Sequence, residues 1–297
     1  MAYLLLAIVL ATAIFAGFRA FPKWGADTFQ VIVINYAVAA ALGWWLAGGW
    51  PTFLRAWGDT WLYTAMVVGS LFLYLFHLMA RSSQVNGLTV TTVAAKLSMV
   101  LPVLVFLIAD PSDGLSWTKS AALLCSLPAV VLASWKADEP FRLRDARMPL
   151  IIFFGGGLID LMFGWFSGPE HMREPAFRYL FTTIPFTMAL LIGLAMLFAQ
   201  KLRRGKAVQL DETPHRPAVT WAAGLGLGFI NFGSLYFLLQ AYAAVPLDRS
   251  AITPLINLGV VLASALAARL LFGERLSRRN AWGLALGCAA MVLLFFS

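Results

Sequence analysis

Two ionisable side chains lie deep inside long apolar segments of this sequence. Lys96 falls within the segment 88–109 and Asp160 within the segment 149–168. At 1.5 Å per helical residue, Lys96 would lie about 12 Å, and Asp160 roughly 16 Å, from the ends of their two membrane-spanning helices on the same side of the membrane. An unpaired charge at that depth costs about 2.5–3.5 kcal/mol on insertion scales, so such residues commonly serve a function. Three interpretations are open: the two residues bind a substrate or a coupling proton, form a structural ion pair, or do not contact each other.

Several polar residues extend this candidate substrate site. Thr92 lies one helical turn before Lys96, and a lysine beside a threonine suits a carboxylate or phosphate group. Gly156 lies one turn before Asp160, where a glycine permits close helix approach or leaves room for a ligand. The remaining candidates at depth are Asn35, Asn231, Asn257 and Tyr236. For each asparagine the alternative is a hydrogen bond between helices, worth about 0.6 kcal/mol on average.

The apolar segments that carry these residues must cross a membrane. The chain has 297 residues, of which 61% are hydrophobic and 12% are charged, whereas soluble domains carry about 25% charged residues. Since a helix needs roughly 20 apolar residues to span the bilayer, we predict an all-α membrane protein of ten transmembrane helices. The predicted spans are 2–20, 29–48, 61–80, 88–109, 117–135, 149–168, 177–199, 218–242, 249–271 and 280–297.

The distribution of basic residues predicts the orientation. Most of the 22 Lys and Arg fall in the loops that connect predicted helix 1 to 2, 3 to 4, 5 to 6, 7 to 8 and 9 to 10. Loops rich in basic residues remain on the cytoplasmic side. Both termini are therefore predicted on the extracytoplasmic side of the cell inner membrane. The net charge of +8 then reflects these loops, and we expect no nucleic-acid partner.

The two halves of the chain share a pattern of helices. The segment 73–134 can be laid over 235–297, with a proline-bearing helix, a Leu-Ser pair and a final cysteine-bearing helix in each. Residues 1–136 and 149–297 are predicted as two five-helix repeats, joined by a cytoplasmic connector over 137–148. Because five is odd, the second repeat would be inverted, a common plan among transporters with a binding site at the membrane midplane.

Two stretches resemble a known family. The segment FGERLS at 272–277, followed by Gly283 and Gly287, resembles the closing signature of the EamA family of the drug/metabolite transporter superfamily. The segment 86–98, which leads to Pro102, is similar to the fourth helix of its bacterial members. The resemblance implies two inverted five-helix repeats that carry small metabolites.

Motifs for other chemistry are missing from the sequence. It contains no nucleotide-binding G-x-x-x-x-G-K-[ST], no G-x-S-x-G and no H-E-x-x-H. We therefore expect no enzyme activity, no cofactor and no metal.

The predicted function is secondary transport, as an exporter or exchanger, of small charged or zwitterionic metabolites by alternating access around a midplane cavity. The predicted partners are this substrate, membrane lipid, and protons or a counter-solute, with the chain a monomer or weak homodimer. A lipid-linked-substrate flippase of the same fold, or a membrane enzyme or sensor without transport, are the alternatives.

Overall fold

The structure is a computed structural model that describes residues 2–109, 116–133, 143–166, 175–204, 215–244 and 249–296. Within these ranges the chain forms α-helices and no β-strand. The twelve helices of the described ranges are α1 (Ala2–Trp24), α2 (Thr28–Leu46), α3 (Trp50–Ala56), α4 (Thr60–Val85), α5 (Leu88–Leu97), α6 (Val100–Ala109), α7 (Trp117–Ala133), α8 (Leu143–Phe166), α9 (Pro175–Arg204), α10 (Pro217–Ala244), α11 (Arg249–Phe272) and α12 (Arg278–Phe295).

The long helices confirm an all-α, multi-pass membrane protein. Seven spans among the described residues are long and apolar enough to cross a bilayer. Their apolar side chains face outward as well as inward, as the exposed Leu191, Phe229 and Leu266 show, and such outward apolar surface is suited to lipid. The predictions of ten spans and of an inverted repeat stay predictions.

The predicted fourth span is not one continuous helix. It consists of α5 and α6, separated by a turn at Ser98 and Met99. A proline inside a helix disturbs the turn before it, and here the interruption lies four residues before Pro102. A proline has no N–H to donate to the carbonyl four residues before it, and its ring clashes with that carbonyl. The carbonyl in question is that of Ser98, which accepts a hydrogen bond from the Leu101 N–H at 3.0 Å instead.

Helix α3 is a short element that the sequence analysis did not predict. It lies between α2 and α4, begins after Gly49 and carries Pro51 in its first turn. Phe53 is buried and stacks on Trp50 at a ring distance of 4.8 Å, while Trp57 meets its edge at 5.5 Å. Tryptophans on a short helix are typical of a membrane interface.

The chain divides into two compact units. The first comprises Met1–Arg19, Leu78–Leu161 and Gly233–Ser297, and the second comprises Ala20–His77 and Met162–Phe232. Each unit thus takes segments from both predicted repeats, so compactness does not test the repeat boundaries, which stay a prediction. The predicted connector 137–148 lies partly outside the described residues.

In the first unit, α12 packs on α7 and α11 packs on α5. Gly283 of α12 faces the backbone of α7 so closely that a Cβ atom there would lie 2.8 Å from the Ala129 carbonyl oxygen. The Asn280 side chain donates to the Ala133 carbonyl at 2.7 Å, which satisfies one of the free carbonyls at the end of α7. The glycines of the last helix therefore serve packing inside the chain.

In the second unit, α2 packs on α9. A Cβ atom on Gly193 of α9 would lie 2.8 Å from a methyl group of Val33. The small residue thus allows two apolar helices to approach closely, as is common between membrane helices.

Candidate functional site

The candidate site of the first unit is built on the end of α5. That helix ends at Leu97, and its last carbonyls have no partner within the helix. Asn257 of α11 is buried and directs its amide at this end, with Nδ2 3.5 Å from the Lys96 carbonyl oxygen and 3.0 Å from the Met99 sulfur. The amide therefore lies against the interrupted segment, next to the backbone of the residue that the sequence singled out.

Asp160 of α8 lies at the same interruption. The Ser98 hydroxyl is 2.8 Å from the Ala95 carbonyl oxygen and 3.2 Å from Asp160 Oδ2. Helix α8 approaches closely because Gly156 and Gly157 face α5 and α6. A Cβ atom on Gly156 would lie 2.9 Å from Ser98 Oγ, and one on Gly157 would lie 2.8 Å from the Ser98 carbonyl oxygen.

Lys96 places a positive charge in the last turn of α5. A cation is favourable there because the helix dipole is negative at its C-terminus. The Lys96 and Asp160 charges act on each other, but the two side chains do not form a close ion pair of the kind that Arg19 forms with Glu274. Lys96 is half-buried and Asp160 is exposed. Two opposite charges thus lie near each other without forming a direct ion pair.

Two other predicted site residues of the first unit make different contacts. Thr92 is fully buried, and its hydroxyl donates to the Leu88 carbonyl of its own helix. Tyr236 is half-buried and its ring packs edge-on against Phe237 at 5.4 Å. The contacts of these two side chains do not involve the α5 interruption.

Asn35 and Asn231 belong to the second unit, where they bind each other. The Asn231 amide donates to Asn35 Oδ1 at 3.0 Å, and Asn35 Nδ2 lies 3.4 Å from the Ile32 carbonyl oxygen. Both side chains are buried. This contact corresponds to the hydrogen bond between helices that was the alternative to a substrate-binding role.

A second polar group in the first unit was not identified from the sequence. Glu274 Oε1 accepts the Leu88 N–H at 2.9 Å and lies 3.4 Å from Arg19 Nε. Arg19 also donates to the Ser83 carbonyl at 2.9 Å. Gly87 has a φ of +100° and brings the backbone so close that a Cβ there would be 3.0 Å from Glu274 Oε2.

This group, which we call the Arg19–Glu274 cluster, explains part of the FGERLS segment. The glutamate caps the first turn of α5 and neutralises the arginine of α1. A carboxylate is favourable at a helix N-terminus because the dipole is positive there. The site carries no metal-binding set: within the described ranges, no three His, Cys, Asp or Glu residues come together to hold an ion.

Comparisons with known proteins add to this picture. No protein-family model matches the chain. The chain is similar to an uncharacterized protein of Haemophilus influenzae, with 21% identity over 235 residues that cover 78% of this chain and 74% of that protein. It is also similar to a protein of known crystal structure, with 15% identity, a TM-score of 0.56 and coverage of 100% of this chain and 98% of that chain. That likeness concerns the fold, which the chain shares along its whole length with a solved structure.

Proposed function

We propose that the protein is a secondary transporter of small charged or zwitterionic metabolites, related to the EamA family, in the cell inner membrane with both termini extracytoplasmic. The observation that carries this proposal is the interruption of α5 and α6 beside Lys96 and Asp160. Transporters of several folds bind their solutes at discontinuous helices, whose free N–H and C=O groups serve as ligands.

The chemistry of the site supports a solute with a negative group. Lys96 extends from the last turn of α5 and makes no direct ion pair with Asp160 among the described residues. A carboxylate or phosphate group can therefore approach its ammonium group without first displacing a carboxylate. Asp160 provides the opposite charge nearby, so that a solute with both charges is accommodated as well.

The arrangement also supports movement between the predicted repeats. Helix α5 belongs to the first predicted repeat, whereas α8 and α11 belong to the second, and the first compact unit brings all three together. Alternating access changes the contacts between repeats around a fixed site. The residues at the interruption lie where such a change would alter the contacts of a bound solute.

The test begins with the purified protein and a panel of small anions, cations and zwitterions. Solutes that raise the thermal stability are then measured for uptake into liposomes that contain the protein. We expect Lys96→Ala to abolish both effects for the active solute, because the variant removes the ammonium group and keeps the Lys96 carbonyl that faces Asn257. Lys201→Ala is the matched control, since Lys201 is an exposed cation at the end of α9.

Uptake that is unchanged in Lys96→Ala would exclude this site. If no solute of the panel bound and none were taken up, the proposal of a small-metabolite transporter would be wrong.

A further inference from the structure

The Ser98 hydroxyl has one proton and two acceptors within reach. One is the Ala95 carbonyl oxygen at 2.8 Å, and the other is Asp160 Oδ2 at 3.2 Å. The Ala95 carbonyl belongs to the last turn of α5, where carbonyls have no partner within the helix. Because Ser98 is buried, its hydroxyl replaces the missing partner, and its single proton serves both the Ala95 carbonyl and the Asp160 carboxylate.

An ionised Asp160 therefore competes with the Ala95 carbonyl for the one Ser98 proton. An ionised carboxylate can only accept hydrogen bonds, whereas a protonated one can also donate. With a proton on Asp160, its O–H donates to Ser98 Oγ, and the Ser98 O–H donates to Ala95. Asp160 can thus take up a proton while the Ser98 hydroxyl keeps its bond to the Ala95 carbonyl.

The charges around Asp160 make its protonation depend on Lys96. From α5, Lys96 is the one charged group of the described residues that acts on Asp160, and α8 and α11 contribute none to it. While no anion is bound to Lys96, its positive charge compensates the negative charge of an ionised Asp160. When a negative group binds to Lys96, this compensation is lost, and an uncompensated charge at membrane depth is costly.

We propose that Asp160, hydrogen-bonded to Ser98, is the proton-binding site of the transporter, and that one proton binds there together with an anionic group on Lys96. This inference rests on the proposed transport function. The unoccupied site holds Lys96⁺ and Asp160⁻, and the occupied site holds Lys96⁺, the anionic group and neutral Asp160. Net charge is zero in both states, so the occupied and unoccupied sites face a similar electrostatic cost at membrane depth. Proton and anion then move in the same direction.

The test is infrared spectroscopy of the purified full-length protein without any solute, over a range of pH. A protonated carboxyl group has its own C=O stretching band. We expect a band that disappears as the pH rises and that is absent in Asp160→Asn. Asp59→Asn is the matched control, because Asp59 lies between α3 and α4, where it accepts a hydrogen bond from Trp61, and this variant should retain the band.

Two further variants test the neighbours and do not depend on the folding of Asp160→Asn. In Ser98→Ala the band should shift in frequency, because its hydrogen-bond acceptor is lost. In Lys96→Gln it should persist to more alkaline pH, because the cation no longer stabilises the carboxylate. Ser126→Ala is the control for the serine variant, since Ser126 is a buried serine that donates to the carbonyl of Leu123 in its own helix.

A spectrum in which no titrating carboxyl band depends on Asp160 would overturn the inference, as would a band unaffected by both neighbours. Because the spectra contain no solute, these outcomes leave the transport proposal standing. Conversely, loss of all transport activity would not remove the band. If the solute identified by uptake is driven equally well with and without a pH gradient, the proton does not accompany it, and the inference is wrong although transport is confirmed.

Discussion

Gly157 offers a direct test of how closely α8 packs on the interrupted span. A Cβ atom at this position would lie 2.7 Å from Leu101 Cβ and 2.8 Å from the Ser98 carbonyl oxygen. Carbon atoms in favourable contact are separated by about 3.5–4.0 Å. Gly157→Ala would thus place a methyl group about 1 Å too close to a backbone atom and to a side-chain atom next to the backbone, neither of which can move without shifting a helix.

Two opposing effects determine how far Gly157→Ala changes the free energy of unfolding. Alanine favours a helix over glycine by about 1 kcal/mol, and overpacking costs typically about 1–3 kcal/mol. Gly226→Ala in α10 is the matched control, because nothing lies within 4 Å of a Cβ atom there. The free energy of unfolding should therefore be lower for Gly157→Ala than for Gly226→Ala by about 1–3 kcal/mol, the overpacking cost alone.

Unfolding of both variants in the same detergent, followed by circular dichroism, measures this difference. Solute uptake into liposomes measures its functional consequence, since the added methyl group pushes on the carbonyl of Ser98, whose side chain faces Asp160. If the two variants were equally stable to within about 0.5 kcal/mol, the range of substitutions away from any packed feature, α8 would not contact the interruption as described.

Two further predictions concern the packing and the polar cluster of the first unit. Gly283→Ala should lower stability by about 1–3 kcal/mol relative to Gly226→Ala, because the new methyl group meets the backbone of α7; equal thermal stability of the two variants would contradict the close approach of α7 and α12. Glu274→Gln keeps an acceptor for the Leu88 N–H but loses the charge facing Arg19 and the α5 dipole, for a cost of about 1 kcal/mol, measured by unfolding at low and high salt. A cost that does not fall with added salt would exclude the electrostatic explanation.

The membrane spans and part of the site follow from the sequence alone. Long apolar segments have few structures open to them in lipid other than helices, so the all-α class was predictable. Lys96, Asp160 and Asn257 were chosen as candidates because a polar side chain in an apolar segment is conspicuous in any sequence, and their role in a site stays a prediction. That Asn257 and Asp160 both lie at the end of the helix that carries Lys96 depends on the packing of three helices far apart in the chain, which the proposed repeat could only suggest.

Other features could not be found in this way. Ser98 resembles the many serines and threonines that bond to their own helix, as Ser83 and Thr92 do, and only its position opposite Asp160 distinguishes it. The interruption of the helix had a signal in Pro102, whose affected carbonyl lies four residues before it. Arg19 and Glu274 lie far apart in the sequence and form their ion pair only in the folded chain. In the sequence, each is an ordinary charged residue at or beyond the end of a predicted membrane span.

In the proposed transporter, the hydrogen bonds at the interruption would connect solute binding to movement of the helices. The last carbonyls of α5 accept hydrogen bonds from Ser98, which directly follows the helix, and from Asn257 of α11. The Ser98 hydroxyl also lies within hydrogen-bond distance of Asp160 on α8. A displacement of α8 or α11 would leave a polar group in the apolar interior without a partner, at a cost of about 1–3 kcal/mol. A solute that supplies the missing hydrogen bond lowers that cost, whereas an apolar solute of the same size does not. Under the proposed function, the interruption would therefore favour a polar, hydrogen-bonding solute, whose binding would make the displacement easier.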